Sequence, residues 1–456
     1  MTDTVLKFLR LFGFNRAIGY GALTRVWGAL AGPVTILIIA TRFSKVQQGY
    51  FYTFSSLLAM QIFFELGLLT VMSQFASHEF AQLTWGEGGT VRGEPVQRER
   101  FLDLLYKGFT WYAAAAVLLA CALVPAGLYF FTHNQSGPVD FAWRLPWLLA
   151  VLCVAGNLLV IPFNAVITGS GDVAVINQQQ MVGGMIGSLL SWLVIGLGGG
   201  LYAIPVVSSG TIVIAVYYLF KRKPGLIEYV WLRFKRKIEC THRVSWRGEV
   251  WPMQWKIALS WISGYFIFQL FTPVLFHYHG AIVAGQMGMT LSAGNALLGI
   301  CLTWMNASNP ELGKLIAHSK WNSLDGLFFR ILRQSLFIAC VGAAAGWSMI
   351  YLLQNSYENI GSRFLPAPQS AVLIATVVVV VAIYDFATYM RAHKREPLMV
   401  VSLVTALLQA TATVVLGRYY SSNGIVLSYF FINAFVCLPV IMVIWSRFRI
   451  KWHSGT

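Results

Sequence analysis

The sequence carries little charge for its length, and acidic residues are fewer than basic ones. Only 11% of the 456 residues are charged, with 17 Asp and Glu against 33 Lys and Arg, whereas 57% are hydrophobic. A soluble domain could not bury that much apolar surface, and the apolar runs recur evenly from residue 17 to residue 446. The composition therefore excludes a soluble globular protein and predicts an all-α polytopic membrane protein with short loops.

Motifs for nucleotide and metal chemistry are also missing. The six cysteines lie mostly inside apolar runs and lack a paired spacing such as CxxC, which indicates reduced packing residues. Neither GxxxxGKS nor GxxxxGKT is present, which argues against an ATP-driven cycle in this chain. We therefore predict no cofactor and no metal site.

Twelve apolar runs are each long enough to span a bilayer, which needs roughly twenty residues. They cover residues 17–41, 49–75, 108–131, 146–168, 173–197, 201–220, 256–276, 281–304, 334–353, 369–390, 397–417 and 424–446. The fifth and sixth runs are separated only by Gly198, Gly199 and Gly200. A single re-entrant element is therefore the alternative at that point.

The basic residues predict the orientation. If the N-terminus is cytoplasmic, 27 of the 33 Lys and Arg fall in cytoplasmic segments, five fall in outward loops, and Arg25 lies within the first span. This asymmetry predicts that both termini are cytoplasmic. It also accounts for most of the net charge of +16, so we predict no nucleic-acid binding.

The predicted spans divide into two halves. We expect an interfacial segment at 1–16, a six-helix bundle at 17–220, a basic connector at 221–255, a second six-helix bundle at 256–446 and a cytoplasmic tail at 447–456. The connector interleaves basic residues with tryptophans, which suits a helix on an anionic membrane surface. A solvated linker is the alternative.

An internal repeat supports the division. When the second half is aligned with the first at an offset of 236 residues, four positions carry identical or similar residues. Leu23, Thr24, Gly28 and Gly49 align with Leu259, Ser260, Gly264 and Gly285, respectively. The matches fall in spans one and two and in spans seven and eight. Because six is an even number, the two halves would share one orientation and be related by an axis along the membrane normal.

The opening of the chain resembles polysaccharide-biosynthesis flippases of the multidrug/oligosaccharidyl-lipid/polysaccharide exporter (MOP) superfamily. Their pattern has an arginine and a glycine in the first helix, a glycine and an aromatic residue opening the second, and an acidic residue with Leu-Gly before its inner end. The matching residues are Arg25, Gly28, Gly49, Tyr50, Glu65, Leu66 and Gly67. The segment NPELGKLIA from Asn309 is similar to the one after the eighth helix there. The resemblance implies a MATE-like fold of two six-helix bundles around a cavity that opens alternately to each side.

Two ionisable residues lie deep in predicted spans, where such a group costs roughly 2.5 to 3.5 kcal/mol. At 1.5 Å per residue, Arg25 lies about 12 Å from the cytoplasmic start of its span, and Glu65 about 15 Å from the cytoplasmic end of the next. The similar depths predict a pair facing an aqueous cavity, where Arg25 would meet an anionic headgroup. A purely structural pair, or an arginine that extends to the inner interface, is the alternative.

Other polar residues in the spans are weaker candidates. Glu65 and Asp385 are the candidate ion-coupling residues, although Asp385 lies about one and a half turns from Arg391, which favours a solvated helix end. Three neutral residues near mid-span, Asn157, Gln269 and Asn295, are candidates for hydrogen bonds to sugar hydroxyls. Contacts between helices are the alternative for each of them.

These features predict a flippase for a lipid-linked oligosaccharide or polysaccharide precursor of the O-antigen type, in a bacterial plasma membrane. The resemblance implies the substrate, a polyprenyl-phosphate-linked glycan; membrane lipids are further partners, and glycan synthesis or export proteins are candidate ones. A cation-coupled multidrug exporter of the same superfamily is the first alternative. A glycan polymerase or ligase is less favoured, and we expect no enzymatic activity. The longest outward loops, 132–145 and 354–369, hold only Asp140 and Glu358 as acids.

Overall fold

Helices make up nearly all of the structure. The computed structural model describes residues 16–134, 139–238, 240–393 and 397–454, so the predicted interfacial segment lies outside the described residues except for Arg16. Within this part of the chain the β structure is one antiparallel hairpin, in which β1 (Leu83–Trp85) pairs with β2 (Val91–Gly93). The predicted all-α fold class is confirmed.

The helices follow the predicted spans closely. In the first half they are α1 (Arg16–Arg42), α2 (Lys45–Leu58), α3 (Ile62–Glu65), α4 (Leu68–Phe80), α5 (Pro95–His133), α6 (Arg144–Gly169), α7 (Val173–Gly196) and α8 (Ala203–Arg222). In the rest of the chain they are α9 (Pro224–Phe234), α10 (Trp251–Phe268), α11 (Phe271–Ala317), α12 (Trp321–Ser356), α13 (Glu358–Gly361), α14 (Ala367–Ala392), α15 (Met399–Phe431) and α16 (Leu438–Ser454).

The described helices are long and apolar enough for a multi-pass membrane protein. Eight stretches could cross a membrane by length and composition, or nine if the bent pair formed by α2–α3 and α4 is one span. Two of the eight stretches, of 72 and 55 residues, each cover two predicted spans. The remaining predicted span is α7, which is helical but is not among the eight.

Kinks rather than loops separate some of the predicted spans. The helix of α11 passes through Gly280, whose φ of 83° lies in the left-handed region, and α15 passes through Ser421, with φ 54°. These two positions lie between spans seven and eight and between spans eleven and twelve. The hydropathy pattern marks both sites as low points, but it does not reveal how short the connections are.

Spans five and six are two separate helices, not one re-entrant element. A turn over residues 197–202 joins α7 to α8, and glycines allow the two helices to pack closely. A Cβ placed on Gly210 would lie 3.2 Å from the Cα of Gly187, and one placed on Gly187 would lie 3.0 Å from the carbonyl oxygen of Val207.

The chain forms two compact units. Of the described residues, those in 16–27, 58–133 and 139–262 form the first unit, and those at 28–57, 134 and 263–454 form the second. The second half of α1 and nearly all of α2 therefore pack with the C-terminal half of the chain. The connector 221–255 belongs to the first unit.

Candidate functional site

The second predicted span is broken at the Glu-Leu-Gly motif. Helix α3 ends at Glu65, and the next two residues, Leu66 (φ 51°) and Gly67 (φ 65°), both adopt the left-handed conformation before α4 begins. A positive φ is strained for leucine and normal for glycine. The two parts of the span differ in direction by 43°. Broken membrane helices commonly mark the sites where substrates or ions bind.

Glu65 is buried at this break, inside the first unit. Its side chain is 6% exposed, and its carboxylate lies close enough to the phenol of Tyr112 for the two groups to interact electrostatically. The backbone at the break is packed tightly, since a Cβ on Gly67 would lie 2.5 Å from the Cγ2 of Ile257. The sequence did not show that the helix carrying Glu65 is interrupted.

Arg25 lies in α1 and is exposed, so protein does not cover its guanidinium. The ion pair between Arg25 and Glu65 that the matching depths predict is not formed among the described residues, although both belong to the first unit. Two residues further on, Trp27 donates from Nε1 to Ser188 Oγ at 3.0 Å and thereby ties α1 to α7. Arg25 is thus a charge in an apolar helix that forms no ion pair with the residues that the structure describes.

The neutral candidates belong to different compact units, Asn157 to the first and Gln269 and Asn295 to the second. Asn157 is half-buried in the middle of α6. Gln269 lies in the short break between α10 and α11, so the seventh predicted span is interrupted as well. Asn295 is exposed on α11 and lines a cavity of about 20 Å³ in the second unit, together with Phe268 and Tyr429. The cavity has room for roughly one water molecule.

Asp385 is not a solvated helix end, and that expectation is wrong. Its side chain is fully buried in α14. Among the residues that the structure describes, no donor lies in hydrogen-bonding geometry with either carboxylate oxygen. Ser335 and Cys301 lie beside it on neighbouring helices of the second unit. The distance along the helix from Asp385 to Arg391 gave no information on how the surrounding helices bury Asp385. A buried acid without a cation remains a candidate for proton or cation coupling.

Two segments that the predicted repeat aligns are in direct contact in the second unit, and we call this contact the glycine seam (Gly49, Tyr52, Gly285 and Gly288). A Cβ on Gly49 would lie 1.9 Å from the carbonyl oxygen of Ala281, and one on Gly285 would lie 2.9 Å from the backbone nitrogen of Gly49. One on Gly288 would lie 2.3 Å from the Cβ of Tyr52. Each seam residue of α2 therefore meets the residue 236 positions later, as a two-fold relation between these two helical segments requires.

Arg363 closes one end of the glycine seam, and sequence reasoning missed it. Its guanidinium donates to the backbone oxygen of Phe43 at 2.6 Å and to Gln48 Oε1 at 3.3 Å. The Gln48 amide in turn donates from Nε2 to the backbone oxygens of Gly285 and Arg363, both at 2.9 Å. These partners are far apart in the sequence, and no local pattern pointed to them.

The basic connector is held on α5 by a group of charged residues, which we call the connector dock (Glu99, Arg100, Asp103 and Lys107). Asp103 is 1% exposed; it accepts from the backbone nitrogen of Val244 at 3.0 Å and pairs with Lys107 Nζ at 2.8 Å. Arg100 pairs with Glu249 at 2.6 Å, and Glu99 accepts from the backbone nitrogen of residue 242 at 2.9 Å. This part of the connector is thus neither free in solvent nor simply laid on a surface, whereas Trp231 of α9 is 56% exposed.

A buried lysine fixes the hairpin in the same unit. Lys223 pairs with Asp172 at 2.6 Å, and its ammonium lies 3.4 Å from the centre of the Trp85 ring. Burial lowers the pKa of Lys223, and the Asp172 carboxylate opposes that shift. Trp85 itself donates from Nε1 to Ser170 Oγ. The contact joins β1 to the loop before α7 and to the residue after α8.

Solved transporter structures share this architecture at low sequence identity. The MATE multidrug transporter DinF-BH aligns with a TM-score of 0.60 and 14% identity over 98% of this chain and 97% of its own. The eukaryotic MATE transporter AtDTX14 gives 0.59 and 12% over 98% and 99%. The lipid II flippase MurJ, in an inward closed conformation, gives 0.53 and 14% over 94% and 87%. No protein-family model and no curated protein matches the chain by sequence.

The chain has the fold of the MATE transporters of the MOP superfamily. The MATE-like architecture that the resemblance implies is thereby confirmed. The similarity covers nearly the whole chain, so the predicted first and last spans belong to the fold.

Proposed function

We propose that this protein is a flippase that moves a lipid-linked oligosaccharide or polysaccharide precursor from the inner to the outer leaflet of a bacterial plasma membrane. The proposal is supported by a fold shared with the lipid II flippase MurJ and, above all, by Arg25. A guanidinium in an apolar helix, without a carboxylate partner among the described residues, is available for an anionic headgroup. The polyprenyl phosphate of such a precursor supplies that anion.

Accumulation of substrate in a deletion strain tests the proposed activity. Loss of a flippase leaves glycan synthesis intact, so the complete lipid-linked unit should accumulate on the cytoplasmic leaflet while surface polymer disappears. A membrane-impermeant lectin should label this unit after lysis and not in intact spheroplasts. Equal labelling before and after lysis would exclude the proposed flippase activity, and a truncated glycan would indicate an enzyme of synthesis instead.

Substitutions of Arg25 test the residue that carries the proposal. Arg25→Ala should abolish export at normal protein levels, because the phosphate loses the only guanidinium within the first predicted span. Arg25→Lys keeps the charge but removes the two-pronged hydrogen-bonding geometry and should restore part of the export. Arg144→Ala is the matched control, since Arg144 is an exposed arginine at the start of α6. Full export by Arg25→Ala would remove the basis of the substrate assignment.

A cation-coupled multidrug exporter is the second candidate, and two buried acids favour it. Glu65 and Asp385 are both buried in predicted spans without an ion pair among the described residues, as a proton or cation site would require. Solved MATE multidrug transporters also share the fold. An exporter predicts that the deletion strain becomes sensitive to cationic toxins while its lipid-linked glycan is unchanged. Asp385→Asn should then abolish resistance, with Ser335→Ala as a neighbouring control.

A further inference from the structure

Helix α9 carries apolar side chains on two sides. Leu226 and Val230 are buried within the first unit. Trp231 and Phe234, three positions apart, are 56% and 66% exposed. The half-buried Ile227 lies one turn before Trp231, so these three side chains share one side of the helix. We call this stripe the α9 face (Ile227, Trp231 and Phe234), and protein leaves its two aromatic rings uncovered.

The α9 helix begins at the end of a predicted membrane span. Helix α8 ends at Arg222, and Lys223 alone separates it from Pro224, the first residue of α9. In the last turns of α8, Tyr217 is 52% exposed, and its hydroxyl accepts a hydrogen bond from Lys221 Nζ at 2.9 Å. An exposed tyrosine beside a lysine is typical of the membrane–water interface. Helix α9 therefore begins at the level of the lipid headgroups, where tryptophan is favoured as well.

Positive charge surrounds the α9 face. Residues 221–240 hold seven basic residues against two acids, Glu228 and Glu239. Two of the seven, Lys223 and Arg233, bind other parts of the protein. The other five are exposed and form no ion pair with the residues that the structure describes; they are Lys221, Arg222, Lys235, Arg236 and Lys237. They outnumber the exposed Glu228 five to one, which suits an anionic surface.

The end of α9 holds three of these charges in a fixed turn, which we call the basic corner (residues 235–237). The backbone nitrogen of Arg236 donates to the oxygen of Arg233, and that of Lys237 donates to the oxygen of Leu232, both at 3.0 Å. This is the Schellman pattern, in which glycine usually occupies the position that Arg236 takes with φ 54°. The left-handed backbone is unfavourable for a side chain of this size, so the fold alone does not explain the arginine. An anionic ligand for its guanidinium does.

Protein contacts fix α9 at both ends. A Cβ on Gly225 would lie 3.1 Å from Thr90 Cγ2, so the first turn packs against the loop of the hairpin. Near the other end, the Arg233 guanidinium lies 3.9 Å from Asp103 of the connector dock and 5.6 Å from the centre of the Tyr106 ring. The direction of the α9 face is thus set by the protein, and substitutions of its exposed residues should leave the fold intact.

We propose that α9 binds anionic phospholipids at the membrane surface, with Trp231 and Phe234 at the level of the glycerol groups and the basic corner on lipid phosphates. Lys235 Nζ lies 4.4 Å from the centre of the Trp231 ring, so charge and ring occupy one place. The occupant is the bilayer's own anionic lipid and not the transport substrate, because the charges lie at both ends of an open helix surface instead of converging in a pocket. The assignment does not depend on the proposed flippase function and holds for any transported molecule.

Photolabelling of the full-length protein tests this surface. The purified protein is placed in phosphatidylcholine vesicles that contain phosphatidylglycerol with a diazirine on its headgroup, and labelled peptides are mapped by mass spectrometry. Label should appear on residues 227–237, and unlabelled phosphatidylglycerol should displace it. Absence of label there would overturn the proposal and leave the α9 face to a protein partner. Displacement by polyprenyl phosphate at a concentration where phosphatidylglycerol fails to displace would overturn it too, since it identifies the substrate as occupant.

The aromatic rings have a separate test. Phosphatidylcholine with a diazirine near the glycerol end of its acyl chain should label residues 227–237 in the wild-type protein. The double variant Trp231→Gln and Phe234→Gln should lose most of this label, whereas Trp251→Gln, which removes another exposed tryptophan, should keep it. Headgroup label without acyl-chain label in the wild type would contradict the placement of the rings at the glycerol level.

The basic corner has a matched pair of variants. Each basic residue near an anionic surface changes binding about fivefold, equal to about 1 kcal/mol. Lys235→Gln with Lys237→Gln should therefore reduce phosphatidylglycerol labelling of residues 227–237 by more than about tenfold. Arg330→Gln with Arg333→Gln removes two exposed charges from α12 and should leave that labelling unchanged. An equal drop in both double variants would refute a site on α9, because it would reflect the total charge of the protein.

Arg236→Gly separates a lipid contact from a role in the fold. Glycine suits the left-handed backbone, so thermal stability in detergent should stay the same or rise, while phosphatidylglycerol labelling should fall about fivefold. The control is Ser319→Gly, because Ser319 has the same backbone conformation, with φ 53°, and is exposed before α12 without a charge. It should change neither labelling nor, except upwards, stability. Unchanged labelling in Arg236→Gly would refute the lipid contact, and a joint loss of stability and labelling would assign Arg236 to the fold instead.

Discussion

The glycine seam and the connector dock hold their segments by opposite means. The seam brings backbone against backbone, and the side chains that close one end of it, Gln48 and Arg363, donate to neutral oxygens. The dock uses charges, and its centre is Asp103, a carboxylate that is 1% exposed. A buried carboxylate that loses its partners is strongly destabilised, whereas the seam depends on how closely the two backbones approach each other. The difference indicates that added bulk disrupts the seam and that loss of charge disrupts the dock.

A bulky residue in the seam should have the largest effect. Gly49→Val would place its Cβ against the backbone of Ala281, which must shift to make room, and such overpacking costs about 3 kcal/mol, the upper end of the usual range. Thermal unfolding in detergent should show a clear loss of stability. The control is Gly184→Val, because a Cβ on Gly184 has no atom within 4 Å. Equal stability of the two variants would mean that the seam is not as tight as described.

Removing the central charge of the dock should have the next largest effect. Asp103→Asn keeps the shape but loses the pairing with Lys107 and the strong acceptor for Val244. Since breaking a buried pair costs about 3 to 5 kcal/mol and Lys107 is partly exposed, we expect about 2 kcal/mol. Limited proteolysis should then cut within residues 240–250, with the exposed Glu228→Gln as the control. Unchanged protection would show that the charge does not hold the connector.

The polar residue of the seam should matter less. Gln48→Leu leaves the backbone oxygens of Gly285 and Arg363 without this donor, and we expect a loss of about 1 kcal/mol, the typical net contribution of a hydrogen bond. Hydrogen exchange at residues 48–52 should become faster, while Gln180→Leu on the exposed side of α7 should leave it unchanged. Faster exchange in the control alone would contradict the assigned role of Gln48.

High salt should affect the connector dock but not the glycine seam, and this is the smallest of the expected effects. At about 1 M ionic strength the screening length falls to about 3 Å, which weakens partly exposed pairs such as Arg100 with Glu249 by less than about 1 kcal/mol. Exchange at residues 245–249 should accelerate, and exchange at residues 48–52 should not. Acceleration in both segments would remove the contrast between charged and neutral contacts.

The sequence revealed the positions of the helices because they depend on a pattern along the chain. Hydropathy located the helices, and the offset of 236 residues paired Gly49 with Gly285, which then proved to be in contact. The Glu-Leu-Gly motif was visible as well, but its left-handed backbone was not.

Contacts between distant segments could not be predicted in this way. Arg363 reaches Phe43 across some 320 positions, and its charge had only suggested a loop. Asp385 was misread because distance along its own helix says nothing about what neighbouring helices cover. The connector bears basic residues and tryptophans, but what holds it is acidic and lies more than a hundred positions earlier.

The division of α1 and α2 between the two compact units bears on any attempt to split the gene. A cut in the connector yields an N-terminal fragment that keeps residues 28–57, although these residues pack with residues 263–456. Neither fragment then contains a whole compact unit. The two fragments therefore have to be co-expressed, because each supplies residues that complete a compact unit of the other.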